Sequence, residues 1–383
     1  MPNIMLSRRS AMHAISRTVT IVAVVVIIII VAVGGYMLIG LPASSTTTTT
    51  STSSTQTTST TSTSTTSTTS AATPVSFELD FAPNSYHALW YYTLDQGIYT
   101  QNGLSVDIIP GSSPANTVSA VAAGTANFGI ASLVSVIAAE SHGVSNIRVI
   151  GIVYHSNPDT VFYIQGKGIS TSKDLAGKTF GTFTGSAAAQ ELPTLLKQNG
   201  VNYSTITISQ ASPATLPSLL ISSKVDFIAL TANRISDIGA AAQQNGEQLG
   251  HFFYKDYGLN RYDLVLLTNT NMIQNHSQVV QEFVNASYYG QMKAMQNPAA
   301  AAQSIVNHFP SLNYTITLQG LQIAINESIA PVPTQYTSNP LYLGWINQTV
   351  MQQSVDLIKQ SFNITATIDV TTLFTNQYVA QPS

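Results

Sequence analysis

No cysteine occurs in the 383 residues. That excludes a disulfide framework, thiolate metal sites and a thiol nucleophile together. Charge is scarce as well. Lys, Arg, Asp and Glu make up 8% of the chain, against roughly a quarter in an ordinary globular domain. Asn, Gln, Ser and Thr supply the polarity instead, which raises the expectation of an acidic exterior, where a carboxylate-rich surface would lose its balance. There is no basic stripe, so nucleic acid is not an expected partner. The seven histidines lack metal-ligand spacing, and no metal site is expected. No stretch has the form of a nucleotide-binding loop.

Only one long apolar run is present, Val19–Leu41, 23 residues without a charge. It is long enough to cross a bilayer. Arg8, Arg9 and Arg17 precede it, which keeps residues 1–18 inside and sends the rest out. A retained anchor is the expectation. A cleaved signal peptide is the alternative, although no A-x-A-like site directly follows. Processing within Met1–Ser16 would resemble archaeal pilin-like signals and leave the helix in place. Residues 42–74 are a Thr/Ser-rich stalk with nothing to bury, a tether that holds the next domain near the membrane.

From residue 75 onward all 17 acidic residues appear with 11 basic ones, in a length that can form two lobes with real cores. Seven Asn-x-Ser/Thr sequons, at Asn202, Asn275, Asn285, Asn313, Asn326, Asn347 and Asn363, fit a glycosylated outer surface. The segment Leu79–Ser135 reads as strand, loop, helix, strand, loop, helix, strand. Phe77–Phe81 alternates apolar and polar residues, Pro83-Asn84-Ser85 breaks it, and a helix from Tyr86 runs to a stop at Gly97. Leu104–Ile109 is a second strand, and Gly111-Ser112-Ser113-Pro114 opens a helix that Gly124 closes before Phe128–Ile130. This is a parallel βαβαβ unit, and the loops at the carboxyl ends of such strands line a ligand crevice.

The order Asp80, Pro83-Asn84, His87, Tyr91, Gly97, Gly103-Leu104, Val106, Gly124 and Phe128-Gly129 resembles the ABC-importer solute-binding proteins for nitrate, sulfonates and thiamine-pyrimidine precursors. The Pro-Asn…His step is most similar to the pyrimidine-precursor branch. Weaker similarity runs through Asp174–Lys178, Val225-Asp226 and Tyr257-Gly258. The resemblance implies an α/β fold, a bilobed clamp of the type II periplasmic-binding-protein kind. Two lobes with mostly parallel sheets would be joined by two crossings and follow the transmembrane anchor. The expected division is 75–165 with 263–383 as lobe one and 166–262 as lobe two. The ligand would lie between them, and hinge closure is the expected motion.

Candidate ligand-binding residues are the polar and aromatic groups of the cleft loops. Lobe one offers Asn84, Tyr86, His87, Ser113, Ser132 and Tyr154. Lobe two offers Thr184, Ser186 and Asn233, with Tyr257 and Asn260 near the return crossing. Uncharged hydrogen-bonding groups and aromatic faces suit a small, flat, polar ligand, while helix N-termini around the cleft would also suit an anion. Arg234 could clamp such an anion. Each group has a structural alternative: Ser113 and Ser186 serve as N-caps in any case, and Tyr91 fits as packing.

What the resemblance implies is a monomeric, non-enzymatic binder without cofactor. It captures a small nutrient outside the cell and presents it to the permease subunits of an ABC importer, with ATP hydrolysis on a separate subunit. A thiamine pyrimidine precursor leads as ligand, with sulfonate, taurine or nitrate behind. The enzymatic rival is a pyrimidine synthase of the same fold that uses pyridoxal phosphate. Against it, the chain lacks that family's cysteine-rich motif and a lysine in the opening loops of lobe one.

Overall fold

The computed structural model describes residues 71–183, 185–329 and 339–382. The expected anchor, all but the end of the stalk and Thr184 lie outside the described residues; among those residues no helix is long and apolar enough to cross a membrane.

Among the described residues, ten strands form two five-stranded sheets. The first holds β1 (Thr73–Glu78), β2 (Leu104–Ile109), β3 (Phe128–Ser132), β4 (Ile147–Ile152) and β10 (Leu264–Asn269), in the order β2-β1-β3-β10-β4. The second holds β5 (Asp159–Ile164), β6 (Thr179–Thr182), β7 (Thr207–Gln210), β8 (Phe227–Thr231) and β9 (Leu249–Phe253), in the order β7-β6-β8-β5-β9. The two orders are the same pattern. In each sheet the strand in fourth place, β10 or β5, runs antiparallel to both neighbours, while β1 and β6 pair in parallel with theirs. That strand is the one that has just arrived from the other lobe, so two crossings tie the sheets together.

The sequence pattern explains the layers. β2 alternates buried and exposed residues because one of its faces meets solvent, whereas β5 and β10 are buried at all six positions. A strand covered on both faces reads as a continuous apolar run. On one face of the first sheet, helix Ser277–Gln296 sets Phe283 in a stack with Phe128 (3.9 Å between centroids) and Tyr99 (5.6 Å). On the other face, Leu133, Val136 and Ile137 meet Met351, Val355 and Ile358 of helix Gln348–Ser361. In the second sheet Phe180 stacks on Phe227 at 4.8 Å under Leu192, Leu195 and Leu196, and Phe162, Ile164 and Ile228 face Leu216, Leu220 and Ile238.

Two boundaries differ from the sequence reading. β1 begins at Thr73 and ends at Glu78, so Asp80 and Phe81 belong to the loop rather than the strand. The first crossing falls between Ile152 and Asp159, not near Gln165, since β5 already pairs with β8 and β9. The sequons also divide. At Asn202, Asn313, Asn347 and Asn363 both the asparagine and the hydroxyl residue two positions on are exposed, whereas Ser287 and Ser328, behind Asn285 and Asn326, are buried.

Candidate functional site

The loop after β1 turns at Ala82–Asn84 into a short 3-10 turn, Ser85–His87, and then helix Ala88–Asp95. This turn packs around Asp80, which is 4% exposed. The hydroxyl of Tyr86 donates to Oδ1 (3.1 Å) and Oδ2 (2.9 Å) of Asp80. His87 is fully buried. Its Nδ1 accepts the Asn84 N–H at 3.1 Å, which places the ring proton on Nε2, and that N–H donates to Asp80 Oδ1 at 2.8 Å. Oδ2 therefore carries a single bond and keeps acceptor capacity. Tyr154, from the first crossing, meets the Tyr86 ring edge-on at 5.7 Å. Burial and the nearby Asp80 carboxylate push both phenols well above their ordinary pKa, so they act as O–H donors. The next loop comes in close behind. A Cβ on Gly111 would lie 1.8 Å from the Leu79 carbonyl oxygen, so only glycine lets the loop after β2 clasp the end of β1.

The second half of the site is a buried charge cluster on the crossings. Arg261 donates from Nε to Glu191 Oε1 (2.6 Å) and from Nη1 to Asp263 Oδ1 (2.5 Å), and its Nη2 lies 3.4 Å from Asp159 Oδ2. Asn157 Nδ2 adds a bond to Glu191 Oε2 at 3.0 Å and one to the Leu259 carbonyl at 2.9 Å. Three carboxylates share one guanidinium. Burial pushes Asp159 well above the ordinary carboxylate range, with Glu191 adding to the effect, and it pushes Asp263 up as well; Arg261 draws both the other way. Asp80 and Asp263 are close enough to act on one another and on Tyr154. The junction of the crossings is thus rich in carboxylate, and the Arg261 guanidinium is fully engaged there. Arg234, the candidate anion clamp, forks onto its own neighbour Asp237 at 2.7–3.0 Å.

The structure brings Asn84, Tyr86, His87 and Tyr154 together around Asp80. Asn233 joins them from lobe two, its Nδ2 donating to Ser85 Oγ at 3.3 Å. Asn260 accepts the Asn157 N–H beside the charge cluster. Ser186 is buried and caps the helix that carries Glu191. Neither ring nitrogen of His87 is free, because both are engaged within the fold. Ser113 and Ser132 cap their helices, accepting from Asn116 N–H and Ser135 N–H. Tyr257 packs on Phe252 in the core of lobe two, 4.9 Å between rings. Sequence reasoning passed over Asp159, Glu191, Arg261 and Asp263. Its available signal was Arg261-Tyr262-Asp263, two charges flanking an aromatic in a chain so poor in charge.

Two α/β lobes on a double crossing, with buried polar groups where they meet, define the bilobed clamp fold. The family model described as NMT1/THI5 like matches residues 84–301. This chain belongs to that family. It is 24% identical over 248 residues to the formylaminopyrimidine-binding protein of Halalkalibacterium halodurans, covering 64% of this chain and 74% of that one. It is 20% identical over 268 residues to the 4-amino-5-hydroxymethyl-2-methylpyrimidine phosphate synthase THI11 of Saccharomyces cerevisiae, covering 65% and 75%. Among solved structures, the periplasmic aliphatic sulphonate binding protein SsuA from Escherichia coli superposes with a TM-score of 0.61 at 14% identity, over 81% of this chain and 94% of that one. That likeness establishes the shared periplasmic-binding-protein fold.

Proposed function

We propose that this protein is an extracytoplasmic solute-binding protein of an ABC importer, and that its ligand is an amino-substituted pyrimidine of the thiamine-precursor class. The observation that carries the choice of ligand is the Asp80 carboxylate. It is fixed by Tyr86 and His87 at the mouth of β1, with acceptor capacity left on Oδ2. An aminopyrimidine offers an exocyclic N–H donor to such a group and a flat face to Tyr86 and Tyr154. The relative that binds formylaminopyrimidine supports the same choice. An anion fits poorly here: Arg261 is consumed by three carboxylates, and the helices at Ser113, Ser132 and Ser186 already have a serine oxygen on a first-turn N–H.

The ligand would shift an open–closed equilibrium toward the closed clamp, which the permease subunits then read. No covalent step is needed, and His87, engaged at both nitrogens, is not poised to act as a reactant. Residues 19–41 would hold the binding domain outside the membrane. A thermal-unfolding panel on the full-length protein in detergent tests the reading, with hydroxymethyl- and formylaminopyrimidines, thiamine, taurine, alkanesulfonates and nitrate. A ligand at about 100 times its dissociation constant adds roughly 2.7 kcal/mol. A rise in midpoint confined to the pyrimidines is expected. A rise confined to sulfonates or nitrate would overturn the ligand class.

A further inference from the structure

Helix Tyr314–Ala324 lies, by sequence, among the covering helices of lobe one, yet it packs on both lobes. Its neighbours are the Ser85–His87 turn of lobe one and the Ala232–Arg234 turn and helix Ile235–Gln244 of lobe two. Gly320 is the point of closest approach. A Cβ there would lie 2.7 Å from Ser85 Oγ, 3.0 Å from the Asn233 carbonyl oxygen and 3.0 Å from Ser236 Oγ. The first atom belongs to lobe one and the other two to lobe two. The three are tied to one another: Ser236 Oγ–H donates to Asn233 O at 3.1 Å, and Asn233 Nδ2 donates to Ser85 Oγ at 3.3 Å. Asn233 is itself oriented by Thr231, whose hydroxyl donates to Oδ1 at 2.7 Å.

The segment continues into a wide π-helical turn, Ile325–Ile329, whose carbonyls reach two further places. Lys255 Nζ, at the end of lobe two, donates to Glu327 O (2.7 Å) and to its carboxylate Oε2 (2.9 Å). The Ser328 carbonyl accepts the N–H groups of His155 and Ser156, at 2.7 Å and 3.2 Å, in the first crossing. One stretch of chain is therefore stitched to lobe one, lobe two and the hinge at once.

We propose that Tyr314–Ile329 is the latch of the clamp, and that Gly320 sets how far the lobes close and so how tightly the ligand is held. The affinity part rests on the solute-binding reading above; the closure part does not. Ser85 couples the two, because it immediately precedes the Tyr86 and His87 that fix Asp80. A side chain at position 320 pushes Ser85 and Asn233 apart and so works on the ligand's own wall.

Lobe separation can be read without any ligand. The chain has no cysteine, so spin labels at Ser119→Cys in lobe one and Ser218→Cys in lobe two, both exposed, report a single inter-lobe distance by pulsed dipolar spectroscopy. Without ligand the parent protein should give a distribution with a short-distance, closed component. Gly320→Ala should shift it longer and broaden it. Lys255→Gln, which removes a stitch without touching the helix packing, should shift it the same way by less. If Gly320→Ala lowers the closed population about tenfold relative to the parent, its apparent affinity for 4-amino-5-hydroxymethyl-2-methylpyrimidine falls about tenfold. Unchanged distance distributions in both variants overturn the proposal. A shifted distribution with no pyrimidine binding by the parent leaves the latch standing and removes the ligand reading instead.

Discussion

Replacing Arg261 by methionine removes the one guanidinium that three buried carboxylates share. The side chain is 1% exposed and Glu191 is 0% exposed. Methionine occupies most of the volume, so the loss is chiefly electrostatic. Breaking a buried ion pair from one side costs about 3–5 kcal/mol, because the remaining charge is left uncompensated, and whole domains are stable by only about 5–15 kcal/mol. At about 2 °C per kcal/mol in a domain of this size, the melting midpoint near neutral pH should fall by about 6–10 °C. The pH dependence carries the mechanism. Burial already holds Asp159 and Asp263 above the ordinary carboxylate range. Between that ordinary value and the raised ones, the folded chain keeps protons that the unfolded chain has released. Stability therefore falls as pH rises through this window and returns on acidification. Without Arg261 both carboxylates move further up, so the variant's deficit shrinks as pH is lowered from about 7.5 to about 5. Glu191→Gln leaves one guanidinium with two carboxylates and should change the neutral-pH midpoint little or raise it. Scanning calorimetry on parent and both variants decides. An Arg261→Met midpoint close to the parent's across that range, or a deficit that grows on acidification, refutes the reasoning.

Two further outcomes follow from packing and capping. Phe283→Ala should lower stability in denaturant titrations by about 3–5 kcal/mol, since it empties the stack on Phe128 and Tyr99 at the centre of lobe one. Asn347→Ala should cost about 1 kcal/mol by the same titration, because its Oδ1 accepts from both Thr349 N–H and Val350 N–H at the start of helix Gln348–Ser361.

Local chemistry was legible in the sequence. The apolar run Leu104–Ile109, ended by Pro110-Gly111, marks β2 to the residue, and Gly97, at φ +65°, ends the first helical stretch where expected. Ser186, read as a cap, is one. Partner choice was less legible. Nothing within Asp159–Ile164 says that β8 and β9 flank it, so the lobe boundary falls earlier than residue 165. The crevice followed the same rule. Turn residues such as Asn84 and Asn233 announce themselves by their loops. Asp159, Glu191, Arg261 and Asp263 are distant or ordinary in sequence and become a cluster only when two crossings bring them together. His87 is the opposite case: its position was legible, but its engagement with Asn84 and Asp80 depends on a turn geometry that residue type does not reveal.

The most direct test of the account is calorimetric titration of the full-length protein with 4-amino-5-hydroxymethyl-2-methylpyrimidine and with ethanesulfonate, for the parent and for Asp80→Asn. Saturable binding of the pyrimidine alone is expected, weakened about tenfold or more in the variant, as loss of a charge-assisted hydrogen bond implies. Binding of ethanesulfonate without the pyrimidine, or pyrimidine affinity indifferent to Asp80→Asn, would overturn the Asp80 reading of the ligand.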